Sequence, residues 1–133
     1  MNQTSKHPGS ALLWLYLLNA SFLLTHEIDS AYWKEWQLFG MPGGIQLFLV
    51  LNLILVFVVL YGLQALAQRR RAGIVLSWVL VAGGWFAGFI HTYFILSGDE
   101  AFRLPMSLLL LAATFILSSL QAVALVRFQQ QAT

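Results

Sequence analysis

Four long apolar segments constrain the fold of this chain more than any other feature of its sequence. They cover approximately residues 11–28, 45–67, 74–96 and 104–126. A membrane hydrocarbon core of about 30 Å needs roughly 20 mostly apolar residues in a helix, and each segment is close to that length. The stretches MPGG (41–44), QRRRAG (68–73) and SGDEAFRLP (97–105) separate the segments with proline, glycine and charge. The sequence therefore predicts an all-α fold, a four-transmembrane-helix bundle that forms one domain over residues 1–133.

The composition agrees with a protein whose main solvent is lipid. Charged residues make up 9% of the chain, against about 25% in an average soluble domain. Apolar residues make up 59%, and the mean hydropathy is +0.77. The chain contains no cysteine, which excludes disulfides, thiolate metal sites and a cysteine nucleophile. A net charge of +2 without a basic stripe does not indicate a nucleic-acid partner, so the partner that the sequence predicts is the lipid bilayer.

The charges predict how the chain crosses the membrane. With four spans, both termini and the loop near residue 70 share one side, which carries no acid and five basic residues: Lys6, Arg69, Arg70, Arg71 and Arg127. The other side carries Lys34 and Arg103 together with all five acids: Glu27, Asp29, Glu35, Asp99 and Glu100. By the positive-inside rule, we expect cytoplasmic termini and acid-rich loops on the periplasmic or external side. We expect the first span to be retained, because Leu18 stands where signal-peptide cleavage would need a small residue.

The stretch LTHEIDSAYWKEW (24–36) at the end of the first span has the densest chemistry in the chain. It holds one histidine, three acids, one lysine and three large aromatic residues. No glycine or proline interrupts residues 26–39, so we expect one helix over residues 11–39 that leaves the membrane near Glu27. Lys34 and Glu35 would then be solvated charges at a helix end. The aromatic residues of this extension would form the lip of a cavity: Tyr32, Trp33, Trp36 and Phe39.

Helical periodicity places a polar stripe on the first span. At 100° per residue, one face carries Asn19, His26, Ser30 and Trp33, with Phe22 and Asp29 at its edge. Glu27 lies about 100° from His26, on a neighbouring flank. A polar stripe within a span normally faces protein, because facing lipid costs too much free energy.

The third span offers a partner for this stripe in GGWFAGFIH (83–91). Gly84 and Gly88 form a small-xxx-small pair, which lets helix backbones approach closely. His91 follows three residues later on the same face, so we expect it to point into a helix contact at about the depth of His26. The same glycine face could instead join a second copy or an accessory subunit.

Two interpretations of these residues stay open. In the functional one, His26, Glu27, Asp29 and His91 converge, with Asp99 and Glu100 available from the loop, because ionisable groups at membrane depth are by default functional. Catalysis would use His26, Glu27 and His91, and a metal would use His26, Asp29 and His91. The candidate ligand-binding residues are Asn19, His26, Glu27, Asp29, Ser30, Trp33, Asn52 and His91. In the other interpretation, the acids only mark where a helix meets water.

The fourth span carries a second polar face. Ser107, Thr114, Ser118 and Gln121 recur at spacings of 7, 4 and 3 residues. We expect these side chains, like Asn52 on the second span, to make interhelical hydrogen bonds worth about 0.6–2 kcal/mol each.

The segment LLTHEIDSAYWKEWQLFGMPGGIQLFLVLN (23–52) resembles a family of small bacterial four-helix membrane proteins of unknown function with a HEIDSAYWKEW-type motif. The stretch GFIHTYF (88–94) shares the likeness less distinctly. The resemblance implies the fold and a bacterial inner-membrane location, and no activity. The chain is more remotely similar to His-x-x-Glu-Glu membrane proteins and to the sterol-isomerase and sigma-2-receptor superfamily, whose acids face an apolar cavity. HEID lacks the His-x-x-Glu-Glu spacing, so no catalytic role is transferred.

Three functions follow as hypotheses. The first is binding of an apolar or amphiphilic, lipid-like molecule, or of a partner protein, at an outward-facing histidine, acid and aromatic site. The second is an enzyme, an isomerase or hydrolase type, that acts on a lipid-soluble substrate through His26, Glu27 and His91. The third is a metal or proton site in an oligomeric transporter. The sequence indicates no cofactor, and haem is disfavoured because little glycine flanks the two histidines.

Overall fold

The computed structural model describes residues 8–131, with side chains from residue 10 onward, and the chain is helical wherever it has regular structure within that range. The helices are α1 (Pro8–Tyr32), α2 (Glu35–Leu38), α3 (Ile45–Ala67), α4 (Arg71–Leu96) and α5 (Pro105–Gln131). The four long helices are each long and apolar enough to span a membrane. The predicted all-α four-helix bundle is therefore confirmed. Lys6, which enters the charge argument above, lies outside the described residues.

The helices α3 and α4 begin and end, and α5 begins, beside the glycine, proline and charged residues of the connecting segments. α3 coincides with the predicted second span, and Pro105 opens α5, where a missing N–H costs nothing. After α3 and α4, Arg69 (φ 56°) and Gly98 (φ 94°) adopt the left-handed conformation. The next amide in each case reaches back five residues, Arg70 to Ala65 at 2.9 Å and Asp99 to Phe94 at 3.1 Å. These bonds satisfy carbonyls that a helix end leaves free and give short reversals between the long helices.

The prediction of one helix through residue 39 is wrong. α1 ends at Tyr32, Lys34 has a left-handed φ of 54°, and the short α2 follows in a new direction. A left-handed residue other than glycine costs roughly 1–2 kcal/mol. Ring contacts after the break offset that cost: Trp36 lies 5.4 Å from Phe48, and Phe39 lies 5.5 Å from Phe94. Packing against α3 and α4 therefore ends a helix that the local sequence would have continued.

The four long helices form a ring in the order α1, α5, α4, α3, and α1 also touches α4 across the middle. Gly84 and Gly88 sit at the α4–α5 contact. A Cβ added at Gly84 would overlap the Ser118 hydroxyl, and one at Gly88 would lie 2.7 Å from Phe115 Cδ2. The small-xxx-small face is thus used inside the single chain. An oligomer or accessory subunit on this face stays a prediction and would require α5 to move.

The two ends of the bundle differ in charge. The end formed by the α1–α2 junction and the α4–α5 loop, here called the acidic end, holds all five acids. The opposite end, here called the basic end, holds Arg69, Arg70, Arg71 and Arg127. An apolar cap closes the acidic end: Ala101, Phe102 and Leu111 are buried there, and Trp33, Leu38 and Ile95 pack on them. Because Phe102 is fully buried in a left-handed turn (φ 62°), the α4–α5 loop forms a roof over the groups beneath it.

Candidate functional site

Two imidazoles meet beneath the cap at the acidic end. The rings of His26 on α1 and His91 on α4 are edge to face, with centroids 4.7 Å apart. Both side chains are buried, and the Phe102 ring lies 4.2 Å from His91 and 5.7 Å from His26. The prediction that these histidines share one depth in the bundle is confirmed. The rings face each other and not the surrounding lipid.

One hydrogen bond of His91 defines the position of a ring proton. Its Nδ1 lies 2.8 Å from the carbonyl oxygen of Ala87. A carbonyl only accepts, so Nδ1 carries a proton. The other nitrogen, Nε2, lies 3.5 Å from Oε1 of Glu35 without the alignment of a hydrogen bond. The two groups form a buried ion pair when His91 is protonated.

His26 is less well satisfied than His91. Its Nε2 lies 3.4 Å from the Ser30 hydroxyl one turn later on α1. Its Nδ1 has no hydrogen-bond partner within residues 8–131, although the side chain is fully buried. Such a buried, unpaired polar atom is uncommon in native proteins and calls for a functional or solvent-related explanation. His26, Ser30, Glu35 and His91 are referred to below as the imidazole layer.

Glu35 is the member of this layer that sequence reasoning missed. The prediction of a solvated charge is wrong, because the Glu35 side chain is only 10% exposed and faces His91. The left-handed Lys34 turns the chain so that the next residue points inward, whereas Lys34 itself is exposed. Lysine carries no sequence signal for that conformation. The inward acid could not be recognised without knowing the packing of α2.

Asp29 belongs to a different contact. Its Oδ1 accepts a hydrogen bond of 3.0 Å from the Ser107 hydroxyl of α5, and Trp33 Nε1 donates to the same hydroxyl at 3.3 Å. Its Oδ2 has no hydrogen-bond partner among the described atoms. No three histidine, cysteine, aspartate or glutamate side chains within the described residues are grouped to hold a metal ion. His26, Asp29 and His91, the candidate metal ligands, are therefore not gathered as a set.

The acids of the α4–α5 loop lie apart from the imidazoles. Asp99 Oδ1 accepts a hydrogen bond of 2.8 Å from the Ala101 amide and so stabilises its own loop. Glu100 is exposed. The expectation that these acids are available to the histidine cluster is not met in this arrangement. The residue that the loop does contribute is Phe102, whose ring covers both imidazoles.

A groove of about 390 Å³ opens on the other side of Glu35, between α1, α2, α3 and α4. Its walls are mostly apolar: Phe39, Met41, Phe48, Leu51, Leu55 and Phe86. Its polar lining consists of Glu27, Glu35 and Asn52. The two carboxylates are close enough for their charges to interact, and the Asn52 amide interacts with Glu27. This groove, called the acidic-end groove below, places two acids and an amide against an apolar wall.

The predicted aromatic lip is only partly present. Phe39 lines the groove, but Trp36 packs on Phe48, and the Trp33 ring lies tilted against Phe102 with centroids 6.1 Å apart. Tyr32 points outward and is 70% exposed. The extension therefore serves mainly to close the acidic end, since most of its rings pack inside the bundle.

Asn19 lies in a second polar layer. Its Nδ2 donates to Ser118 Oγ at 3.0 Å and to Gln121 Oε1 at 2.9 Å, and Gln121 Nε2 donates to the Ser77 carbonyl at 3.5 Å. Asn19, Ser77, Ser118 and Gln121 are referred to below as the amide layer. Asn19 and His26 are seven residues apart, or about 10.5 Å along a helix, so they serve different sites. The expectation of interhelical bonds is met here by Ser118 and Gln121, whereas the buried Thr114 hydroxyl has no partner among the described atoms.

The comparison with known families covers nearly the whole bundle. Residues 12–128 match the model of a family of unknown function, DUF6713. The chain belongs to this family. No curated protein and no solved structure matches the chain. Because the function of this family is unknown, membership assigns no activity to the chain.

Proposed function

We propose that this DUF6713 protein is an integral membrane protein that binds an amphiphilic molecule in the acidic-end groove. The observation that carries the proposal is the groove itself. Its volume of about 390 Å³ falls within the roughly 300–1,000 Å³ typical of small-molecule pockets. An apolar wall with a few convergent polar groups is the usual construction of such pockets.

The lining suggests how the ligand would lie. Its polar end would meet Glu27, Glu35 and Asn52, which are the polar groups of the groove. Its apolar part would lie along Leu51 and Leu55 of α3. Leu51 is 44% exposed on a membrane-spanning helix, so a molecule dissolved in the bilayer could enter from the side.

The proposed location is a bacterial inner membrane, with both termini in the cytoplasm and the acidic end outside. The positive-inside rule supports it, because the basic end carries the arginines of the 68–73 loop and Arg127. The native chain has no cysteine, so single cysteines can report the topology. Ser97→Cys should react with a membrane-impermeant maleimide in intact cells, and Gln68→Cys should react only after lysis. The reverse pattern would overturn the orientation.

The binding proposal is tested by filling the groove. The protein is purified in mild detergent, and the bound small molecules are identified by mass spectrometry. Leu51→Trp should lose the bound molecule, because the larger side chain occupies the lining. Leu53→Trp is the matched control, since Leu53 lies on the same helix, is 71% exposed and does not line the groove.

Two results would contradict binding. A wild-type protein that carries no small molecule would remove the basis of the proposal. Equal loss of the bound molecule in Leu51→Trp and Leu53→Trp would show that it came from lipid around the protein and not from the groove. A protein that co-purifies at the acidic end in place of a small molecule would favour the partner-docking alternative.

A second candidate function is proton transfer to a bound substrate, as in an isomerase or hydrolase. It is favoured by the 3.5 Å approach of His91 Nε2 to Glu35 Oε1, because Glu35 also lines the groove. A general acid or base needs its proton within roughly 2.6–3.2 Å of the reacting atom. Glu35 would be the group that reaches the ligand and His91 its proton partner. His26 does not line the groove and would act through His91.

This candidate is tested on the molecule recovered from the groove. Wild-type protein should convert that molecule into a product of different mass or retention time. Glu35→Gln should still bind it but should not convert it, because the amide cannot exchange a proton with His91. Recovery of unchanged molecule from wild type after prolonged incubation would leave binding as the function.

Two expectations from the sequence stay predictions. They are the bacterial origin of the chain and its remote likeness to His-x-x-Glu-Glu proteins and to the sterol-isomerase and sigma-2-receptor superfamily. The third hypothesis, a metal or proton site in an oligomeric transporter, is tested by metal analysis and by the oligomeric state of the purified protein.

A further inference from the structure

A second groove lies at the opposite end of the bundle, between α4 and α5. Its volume is about 580 Å³. Its lining is mostly apolar and ends in polar groups: Trp78, Trp85, Ser119, Ala122, Val123, Val126, Arg127 and Gln130. It shares no residue with the acidic-end groove. We call it the basic-end groove.

The groove has the depth of one membrane leaflet. Arg127 comes 22 residues after Pro105, which opens α5, and at 1.5 Å per residue it lies about 33 Å away. That distance is close to the roughly 30 Å of a hydrocarbon core, so Arg127 reaches the interface when Pro105 lies at the opposite one. Ser119 lies eight residues before Arg127, about 12 Å deeper. The groove thus runs from the interface towards the middle of the bilayer.

The inner end of the groove is well defined. Trp85 Nε1 donates a hydrogen bond of 3.1 Å to Ser119 Oγ, and the Ser119 hydroxyl donates to the Phe115 carbonyl at 2.9 Å, so both groups are satisfied there. Trp78 and Ala122 belong to the apolar packing between α4 and α5 behind the groove. Val123 and Val126 are 49% and 42% exposed along its side. What the groove presents to the bilayer is an apolar surface that suits an acyl chain.

The mouth of the groove is cationic. Arg127 is exposed and makes no ion pair within residues 8–131. The five acids of the chain all lie at the acidic end, so none is available to neutralise it. A guanidinium binds phosphate oxygens through paired hydrogen bonds. The three arginines at residues 69–71 make the same end of the bundle more positive.

From this geometry we propose that the basic-end groove binds one anionic phospholipid, with an acyl chain along Val123 and Val126 and the phosphate on Arg127. The charge complementarity at the mouth selects an anionic headgroup over a zwitterionic one. The leaflet-deep apolar wall selects a lipid over a soluble anion. The proposal is independent of the function assigned to the acidic-end groove.

The test is native mass spectrometry of the full chain, titrated with phosphatidylglycerol and with phosphatidylcholine of the same acyl chains. Wild type should retain phosphatidylglycerol preferentially. Arg127→Gln should weaken that binding by roughly tenfold, as expected for loss of a charged hydrogen-bonding partner. Arg127→Lys should retain part of it. Val123→Trp should weaken binding of both lipids, because it fills the groove without changing the charge.

Arg71→Gln is the matched control. Arg71 is an exposed arginine at the same end that does not line the groove, so its loss should matter far less. Equal weakening in Arg71→Gln and Arg127→Gln would overturn the proposal in favour of diffuse attraction to a basic belt. Equal binding of both lipids by wild type would also overturn it. A dimer that Val123→Trp abolishes would assign the groove to a second copy of the chain instead.

Discussion

The imidazole layer and the amide layer lie two helical turns apart on α1, and they differ in how completely their buried polar atoms are hydrogen-bonded. In the amide layer, the Asn19 and Gln121 side chains bond each other, and Ser118 bonds Asn19. In the imidazole layer, His26 Nδ1 has no hydrogen-bond partner among the described atoms, and His91 Nε2 meets Glu35 only as an ion pair at 3.5 Å. The two histidines are buried as deeply as the amide layer, and only Glu35 reaches the surface of the groove.

The difference indicates what each layer is for. An unsatisfied polar group inside a membrane costs several kcal/mol, so packing alone does not explain why two imidazoles are kept there. Groups that break the rules of packing are typical of functional sites. The amide layer needs no such explanation, because interhelical hydrogen bonds account for it. We therefore expect substitutions in the amide layer to lower stability and an apolar substitution of His26 to spare it.

The largest effect is expected from Gly84→Ala. The new Cβ would overlap the Ser118 hydroxyl and lie 3.1 Å from Thr114 Cγ2. Either Ser118 must turn away from Asn19 or α4 and α5 must separate, and both changes disrupt the amide layer. Overpacking of this kind typically costs about 1–3 kcal/mol in the free energy of unfolding. The measurement is thermal or detergent-induced unfolding of the purified protein, followed by circular dichroism.

Gly83→Ala provides the neighbouring control. A Cβ at Gly83 meets Leu23 Cδ2 at 3.6 Å, an ordinary contact. Alanine also favours a helix interior by about 0.5–1 kcal/mol relative to glycine. Gly83→Ala should be neutral or stabilising. If both variants lost the same stability, the close α4–α5 contact described here would be incorrect.

A smaller loss is expected from Asn19→Leu. The change removes the donor and acceptor that bind Ser118 and Gln121, and it leaves their polar atoms buried. Interhelical hydrogen bonds in membranes are worth about 0.6–2 kcal/mol, which sets the expected loss of unfolding free energy. Thr25→Leu is the control, since Thr25 is an exposed α1 residue that bonds only the Ser21 carbonyl of its own helix. Equal stability of the two variants would remove the structural role of the amide layer.

The sequence was sufficient to predict the fold and the meeting of the two histidines. Apolar segments of bilayer length specify the spans almost regardless of tertiary detail. The 100° periodicity of a helix specified which residues of α1 face inward, and the glycines beside His91 specified the face of α4. Asn19, His26 and Ser30 are all buried as that argument requires.

What could not be predicted depends on contacts between distant residues. Periodicity predicts which face of a helix a residue occupies, but not which residue of a neighbouring helix it contacts. The sequence therefore groups Asn19 with the imidazoles, although Asn19 bonds Gln121 of α5 two helical turns from His26. The inward turn of Glu35 depends on a left-handed Lys34 that no local signal indicates. The roof made by Phe102 depends on how the α4–α5 loop folds back over the bundle.

The smallest effect on stability is expected from His26→Leu, and this variant decides whether the two layers really differ. It introduces an apolar side chain in place of a buried ring that packs on His91 and Phe102. That ring has one unpaired nitrogen and one polar contact, 3.4 Å to Ser30. Leucine keeps the site filled and removes only one long polar contact, so the loss of unfolding free energy should not exceed the roughly 1 kcal/mol of a typical hydrogen bond. Asn19→Leu supplies the matched comparison, because it also places a leucine in α1. A loss from His26→Leu as large as that from Asn19→Leu would mean that the imidazoles hold the bundle together as the amides do. The unpaired nitrogen of His26 would then no longer argue for a functional site at the acidic end.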